Sequence, residues 1–209
     1  MAYSNVGIAN MALYRIGAKS KLTSLTDGSP NAVNVNAVWE YIRDEVLEAV
    51  KPKFATVRVE LSQSSTSPAN EDVYLYAYPL PSDYLCLADD TQDDPAIYPV
   101  PGVEPYAFET LSDGTRCIFT NYDSTVSGSV YLTYIRRITD PAVFSPSFIN
   151  AFAFRLGAEL SYSIPASTTK FEAMMTLYER AKRKARGMSL AQEYLEDEKG
   201  SETWVSAGR

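Results

Sequence analysis

The sequence predicts an α+β protein: a four-helix bundle built from an N-terminal and a C-terminal helix pair, with a small antiparallel β-sandwich or barrel inserted between them. Two observations predict it. Residues 4–51 and 145–198 carry apolar side chains at steps of three and four, the helical period, whereas residues 52–140 form short Tyr-rich runs broken by Pro, Gly, Ser and Asp. A helical body that starts, breaks off and resumes must bring its two ends together to bury their apolar faces. The 209 residues then divide into a first helix pair at 1–51, an inserted β domain at 52–144, a second helix pair at 145–199 and a mobile C-terminal arm at 200–209.

The first helix starts at Ser4 as N-cap and stops at Gly17, with Val6, Ala9, Leu13 and Ile16 on one stripe. Ser29-Pro30 announces the second, Ser as cap and Pro at the first helical position, and Val35, Val38, Ile42, Val46 and Ala49 follow before Pro52 ends it. The connection between them, Lys19 to Gly28, is short enough to make the two antiparallel neighbours. Strands are predicted at 54–61, 73–78, 84–87, 107–110, 116–121 and 130–135, with Asp113-Gly114 as a hairpin turn. Ser145-Pro146 opens the third helix, which carries Phe148, Phe152, Leu156 and Leu160 and stops near Pro165. In the fourth, Thr169 and Glu172 have capping-box spacing, and Phe171, Met174, Tyr178, Ala181, Ala185 and Met188 form a heptad-like seam.

Composition narrows the function. The chain has no histidine, which removes the commonest general base, the usual zinc imidazole and every Ser-His or Cys-His arrangement. Cys86 and Cys117 form no C-x-x-C and read as reduced thiols inside strands. A net charge of −7 does not suit a protein that grips nucleic acid. No apolar run approaches the ~18 residues of a membrane span, and the N-terminus lacks a basic segment followed by a hydrophobic one. A soluble protein without an export signal is expected.

The remaining motifs each have a plain structural reading. Ser167-Thr-Thr-Lys170 has the S-x-x-K spacing of serine-lysine acyl enzymes, but K-T-G and S-D-N companions are absent and the motif stands where a helix needs a cap. No Walker sequence or G-x-G-x-x-G occurs. Asp89, Asp90, Asp93 and Asp94 crowd one loop without the Gly and distal Glu of an EF-hand, so a solvated acidic loop is the better reading than a cation site. Neither a catalytic, a cofactor-binding nor a metal site is assigned. Arg180, Lys182, Arg183, Lys184 and Arg186 make the one basic cluster, and Glu193, Glu196, Asp197 and Glu198 follow it on the same helix. Opposite charges at two ends of one rod suit pairing between identical subunits, with Arg183, Lys184, Glu196 and Glu198 at the interface; a solvated helix face is the plain alternative. Trp204 stands on a polar terminus, where it either folds back or anchors in a partner.

In order and spacing these segments resemble the tail tubular protein A family, the head-to-tail adaptors of short-tailed phages. The likeness begins with IANMALYRIGAKSKLTSLTDGSPNAVNVNAVWEYIRDEVLEAVKPKFA, where Leu13, Ile16 and Gly17 match the end of the family's first helix, Ser24, Leu25, Asp27 and Gly28 its turn, and Arg43, Asp44, Val46, Leu47, Pro52, Phe54 and Ala55 its second helix and junction. Lys53 stands where the family commonly has Trp, a departure at a packing position. YAYPLPSDYLCL, YIRRITDPAVFSPSFINAFAFRLGAELS and TWVSAGR are similar to the family's strand opening, its return into the helices and its C-terminal ending, with the weakest likeness over 88–130.

The resemblance implies a non-enzymatic virion protein of the tail or neck, made in the host cytoplasm. It implies a ring of about twelve subunits beneath the portal, joining it to a downstream tail or nozzle protein and extending a channel through which genomic DNA passes without specific binding. It implies a C-terminal arm that reaches the portal, here Trp204, Val205 and Arg209, with no cofactor and no membrane partner. The rival expectations are another neck or tail-completion protein of different ring order and, further off, a tail-borne cell-wall hydrolase, which would need a pair of carboxylates in a cleft.

Overall fold

A computed structural model describes residues 3–68, 73–88, 96–98, 106–164 and 166–201, with the side chains of 192–201 excepted. In chain order the elements are α1 (Asn5–Arg15), α2 (Pro30–Val50), β1 (Thr56–Leu61), β2 (Tyr76–Pro79), β3 (Tyr84–Leu87), β4 (Ile97–Tyr98), β5 (Tyr106–Thr110), β6 (Arg116–Thr120), the single-turn α3 (Ser124–Ser127), β7 (Val130–Arg136), α4 (Pro146–Ser163) and α5 (Thr168–Ser201). The protein is mixed α+β and its sheets are antiparallel. It divides into two compact units, Met1–Ala55 with Ile138–Arg209 and Thr56–Arg137.

In the first unit every helix start is fixed locally. Ser4, Ser29 and Ser145 accept through their side chains from the backbone N–H groups of Gly7, Ala32 and Phe148, and Pro30 and Pro146 occupy the first turns of α2 and α4. α1 ends in a Schellman motif: Gly17, at φ +78°, donates to Tyr14 O, and Ala18 donates to Leu13 O. α2 ends at Lys51, which takes a left-handed conformation (φ 48°) directly before Pro52. The N-cap of α5 differs from the sequence expectation. Ser167, not Thr169, accepts from the Lys170 N–H, because the helix already begins at Thr168.

α4 is the hub. α1, α2 and α5 all pack on it, and α2 also meets α5. It buries Phe148, Phe152, Leu156 and Leu160 as the period predicts, but also Ile149, Ala151, Ala153, Arg155, Gly157, Ala158 and Ser161. Burial around the whole circumference is the signature of a helix packed by neighbours on several sides. An aromatic chain runs along it: Phe54 and Phe144 lie 5.3 and 4.9 Å from Phe148, which leads to Phe152 and then to Trp39 at 4.8 Å. These contacts place Phe54 and residues 138–144 with the helices, so the β unit spans less chain than 52–144. In α2 the stripe is wider than predicted, with Trp39, Leu47 and Val50 buried beside Val35, Ile42 and Val46, and Val38 and Ala49 only half-buried.

In the second unit β7 is central to one sheet, pairing with β1, β3 and β4, and β6 is central to the other, pairing with β2 and β5. Each sheet stays open. Among the described residues no strand pairs with both β6 and β7, so the barrel alternative does not form. One core draws on both sheets, with Leu61, Ile97, Val130, Leu132 and Tyr134 from the first and Tyr78 and Ile118 from the second. The β5–β6 hairpin turns at Asp113-Gly114, where Gly114 has φ +88° and the Asp113 carboxylate accepts from Thr115 N–H. Tyrosine suits this unit because a ring can be buried while its hydroxyl is satisfied. Tyr78, fully buried, donates to Tyr122 O at 2.8 Å and accepts from Ser124 N–H at 2.9 Å.

Candidate functional site

The longest exposed feature of the helical unit is α5. Its 34 residues extend roughly 50 Å at 1.5 Å per residue, nearly twice the length of α4. The seam is buried in its middle, at Tyr178, Ala181 and Ala185, then emerges, so that Met188 is 50% and Leu190 40% exposed. Between them Ser189 holds the helix to the end of α2: its hydroxyl accepts from Lys53 N–H at 2.8 Å and donates to Lys51 O at 3.3 Å.

A charge cluster lies beside the middle of α5. Arg155 on α4, nearly buried, donates to Glu45 on α2 at 2.8 Å and to Glu159 at 2.9 Å. Burial works against the Arg155 charge, but hydrogen bonds to the two carboxylates outweigh it and hold its pKa above the ordinary value. Tyr178 of α5 feels the same cluster. Burial first, and then the charges of Glu45 and Glu179, push its phenol up to about 12. Lys182 pairs with Glu179 at 2.8 Å and lies over the Tyr178 ring. The ion pairs join α2 to α4, and the cluster lies against Tyr178 of α5.

The residues predicted for subunit packing separate accordingly. Arg183 and Lys184 are both exposed; Arg183 Nε donates to the Glu179 carbonyl at 3.3 Å, and Lys184 lines a recess of about 380 Å³ with Pro146, Asn150, Ala181 and Met188. Glu196 and Glu198 lie on α5, but their side chains are outside the described residues. So are Trp204, Val205 and Arg209 of the predicted arm, and the aspartates of the 89–94 loop. Among the described residues no group of three or more His, Cys, Asp or Glu side chains is placed to hold a metal ion. No helix among them is long and apolar enough to cross a membrane.

The Ser167–Lys170 pair has two structural duties. Ser167 caps α5, and Lys170 Nζ donates to the Ile16 carbonyl at 2.6 Å, closing the C-terminal end of α1. Cys117 is fully buried and Cys86 half-buried, and neither forms a disulfide. A second concavity, lined by Asn5, Trp39, Glu40 and Arg43 among others, has no counterpart among the predicted site residues. A signal for it existed in the sequence: Asn36, Glu40 and Arg43 are spaced to share one face of α2. No protein-family model matches this chain, and no curated protein matches it.

Proposed function

We propose that this protein is a structural assembly component, a head-to-tail adaptor of a phage virion that forms a ring beneath the portal. In this reading the four long helices act as a bundle-like, rigid frame, and the two-sheet unit is presented to the downstream tail or nozzle protein. The supporting observation is α5: a helix much longer than its packing partner, whose apolar seam emerges at Met188 and Leu190. Its sequence also changes sign there, from Arg180, Arg183, Lys184 and Arg186 to Glu193, Glu196, Asp197 and Glu198. Twelve positions separate Lys184 from Glu196, which on a rigid helix is roughly 18 Å, so these two charges cannot pair with each other within one helix. Arg183 and Lys184 on one subunit then face Glu196 and Glu198 on the next. The arm residues Trp204, Val205 and Arg209 dock on the portal, and the net charge of −7 lets genomic DNA pass without being held.

Negative-stain microscopy of the purified chain, alone and with the portal protein of the same virus, tests this. The expected result is a ring, of about twelve subunits, seated on the portal. The chain staying dispersed beside intact portals contradicts the reading. Clearing of peptidoglycan by the purified protein would support the hydrolase reading instead.

A further inference from the structure

The concavity beside α2 is a cavity of about 520 Å³, in the size range of small-ligand sites. It lies wholly within the helical unit, between the start of α1, the turn at Leu25, the middle of α2 and Thr139. Its chemistry is set by two polar groups with hydrogen-bonding capacity to spare. Arg43, only 4% exposed, directs both Nε and Nη2 to one oxygen of its sequence neighbour, Asp44 Oδ1, at 2.8 Å. A guanidinium has five N–H donors in a planar fork. Among the described residues nothing else accepts from this one. Asn5 Oδ1 is buried and, among the described residues, has no hydrogen-bond donor at all. An acceptor buried without a partner has lost its hydration with nothing in return, so such an atom points to a donor that arrives from elsewhere.

A ligand that satisfies both brings an acceptor to Arg43 and an N–H to Asn5. Trp39, 5% exposed and held against Phe152, supplies a rigid apolar part of the lining. Glu40 stands exposed on the same wall, and Asp44 already offsets part of the Arg43 charge. Two nearby carboxylates repel a second negative charge, which favours a monoanion over a dianion such as phosphate. We propose that the cavity captures a carboxylate of a polypeptide, either a chain terminus or an Asp or Glu side chain, with the carboxylate on Arg43 and an adjacent peptide N–H on Asn5 Oδ1. The inference stands on this cavity alone and does not need the ring.

Trp39 is the built-in reporter. In a Trp204→Phe background it is the only tryptophan of the chain. Titration of the full-length protein with N-acetylglycine should then give a saturable change in its emission, with N-acetylglycinamide at least about tenfold weaker. N-acetylglutamic acid α-amide, which places the carboxylate on the side chain, distinguishes the two sources; either carboxylate binding supports the assignment. Asn5→Ala should weaken binding about three- to tenfold, and Arg43→Lys by more, in variants whose circular dichroism matches the parent. Asn5 lies outside the α1 cap itself, so its variant keeps the test open if the Arg43 variant does not fold. An emission unchanged up to about 50 mM N-acetylglycine, equal binding of the neutral amide, or inorganic phosphate binding as tightly would each overturn the proposal.

Discussion

Asp27 holds the turn that launches α2. Its carboxylate accepts from the backbone N–H groups of Thr23 and Ser29, both at 3.0 Å, while Gly28 takes φ +74°. The hydrogen bonds from Ser29 and Thr23 hold the Asp27 carboxyl well below the usual carboxylate range. A pKa depressed in the folded state stabilises the fold above the unfolded value, near 4, and that contribution disappears as pH falls toward the folded value. The apparent Tm of the parent should therefore drop between about pH 5 and pH 2, and Asp27→Asn should start lower at pH 7 and lose less over that interval. Thermal melts across the pH series check both. Tyr78 makes a second residue-scale prediction. Tyr78→Phe leaves Tyr122 O and Ser124 N–H without their shared partner, and should cost about 1–2 kcal/mol in urea denaturation. Arg155→Met should cost about 2 kcal/mol or more, since it leaves Glu45 without its ion-pair partner beside an Oε2 that is already buried and unpaired. The short connection from Lys19 to Gly28 was readable from the sequence. The Lys170–Ile16 bond was not, because it joins positions 154 residues apart and no local pattern records such a pairing.

Among the elements, the helices were the most legible because their ends are written in adjacent residues. Ser29-Pro30 and Ser145-Pro146 each place a capping hydroxyl and a preset φ side by side, and both helices start there. Ser29→Ala and Ser145→Ala should each cost about 1 kcal/mol, measured by chemical denaturation. The part that sequence periodicity missed is the hub role of α4. Steps of four at Phe148, Phe152, Leu156 and Leu160 mark one face, whereas burial of Ala151, Ala153, Gly157 and Ala158 depends on which helices arrive at the other faces. At Gly157 an added Cβ would sit 3.5 Å from Ala12 O and from Ile16 Cγ2, an ordinary contact distance. Gly157→Ala should accordingly be tolerated or stabilise by up to about 1 kcal/mol through helix propensity, while Gly157→Leu has no room against α1 and should destabilise. The strands were less legible at their ends. β3 matches the predicted span 84–87, but β4 is two residues long, too short for any period, and exists because Ile97 pairs with Leu132 and is buried.

For the whole molecule, the split organisation was visible as a change of period along the chain, and the contacts divide it into a discontinuous helical unit and a continuous β unit. The candidate site was visible only in part. The charge run on α5 could be read from sequence, whereas the emergence of Met188 and Leu190 follows from the lengths of α4 and α2 beside it. At this scale the adaptor reading predicts that removing residues 200–209 leaves the melting transition in place and abolishes portal binding. It also predicts that the protein does not bind duplex DNA at micromolar affinity at physiological salt. The most direct measurement is a charge-exchange experiment on α5, read as ring formation on the portal by negative-stain microscopy. One variant carries Arg183→Glu and Lys184→Glu, the other Glu196→Lys and Glu198→Lys. If neighbouring copies pair through these residues, each variant alone fails to form rings and an equal mixture restores them, since every junction of a ring in which the two alternate regains opposite charges. Rings from either variant alone, at the parent's yield, would contradict the account.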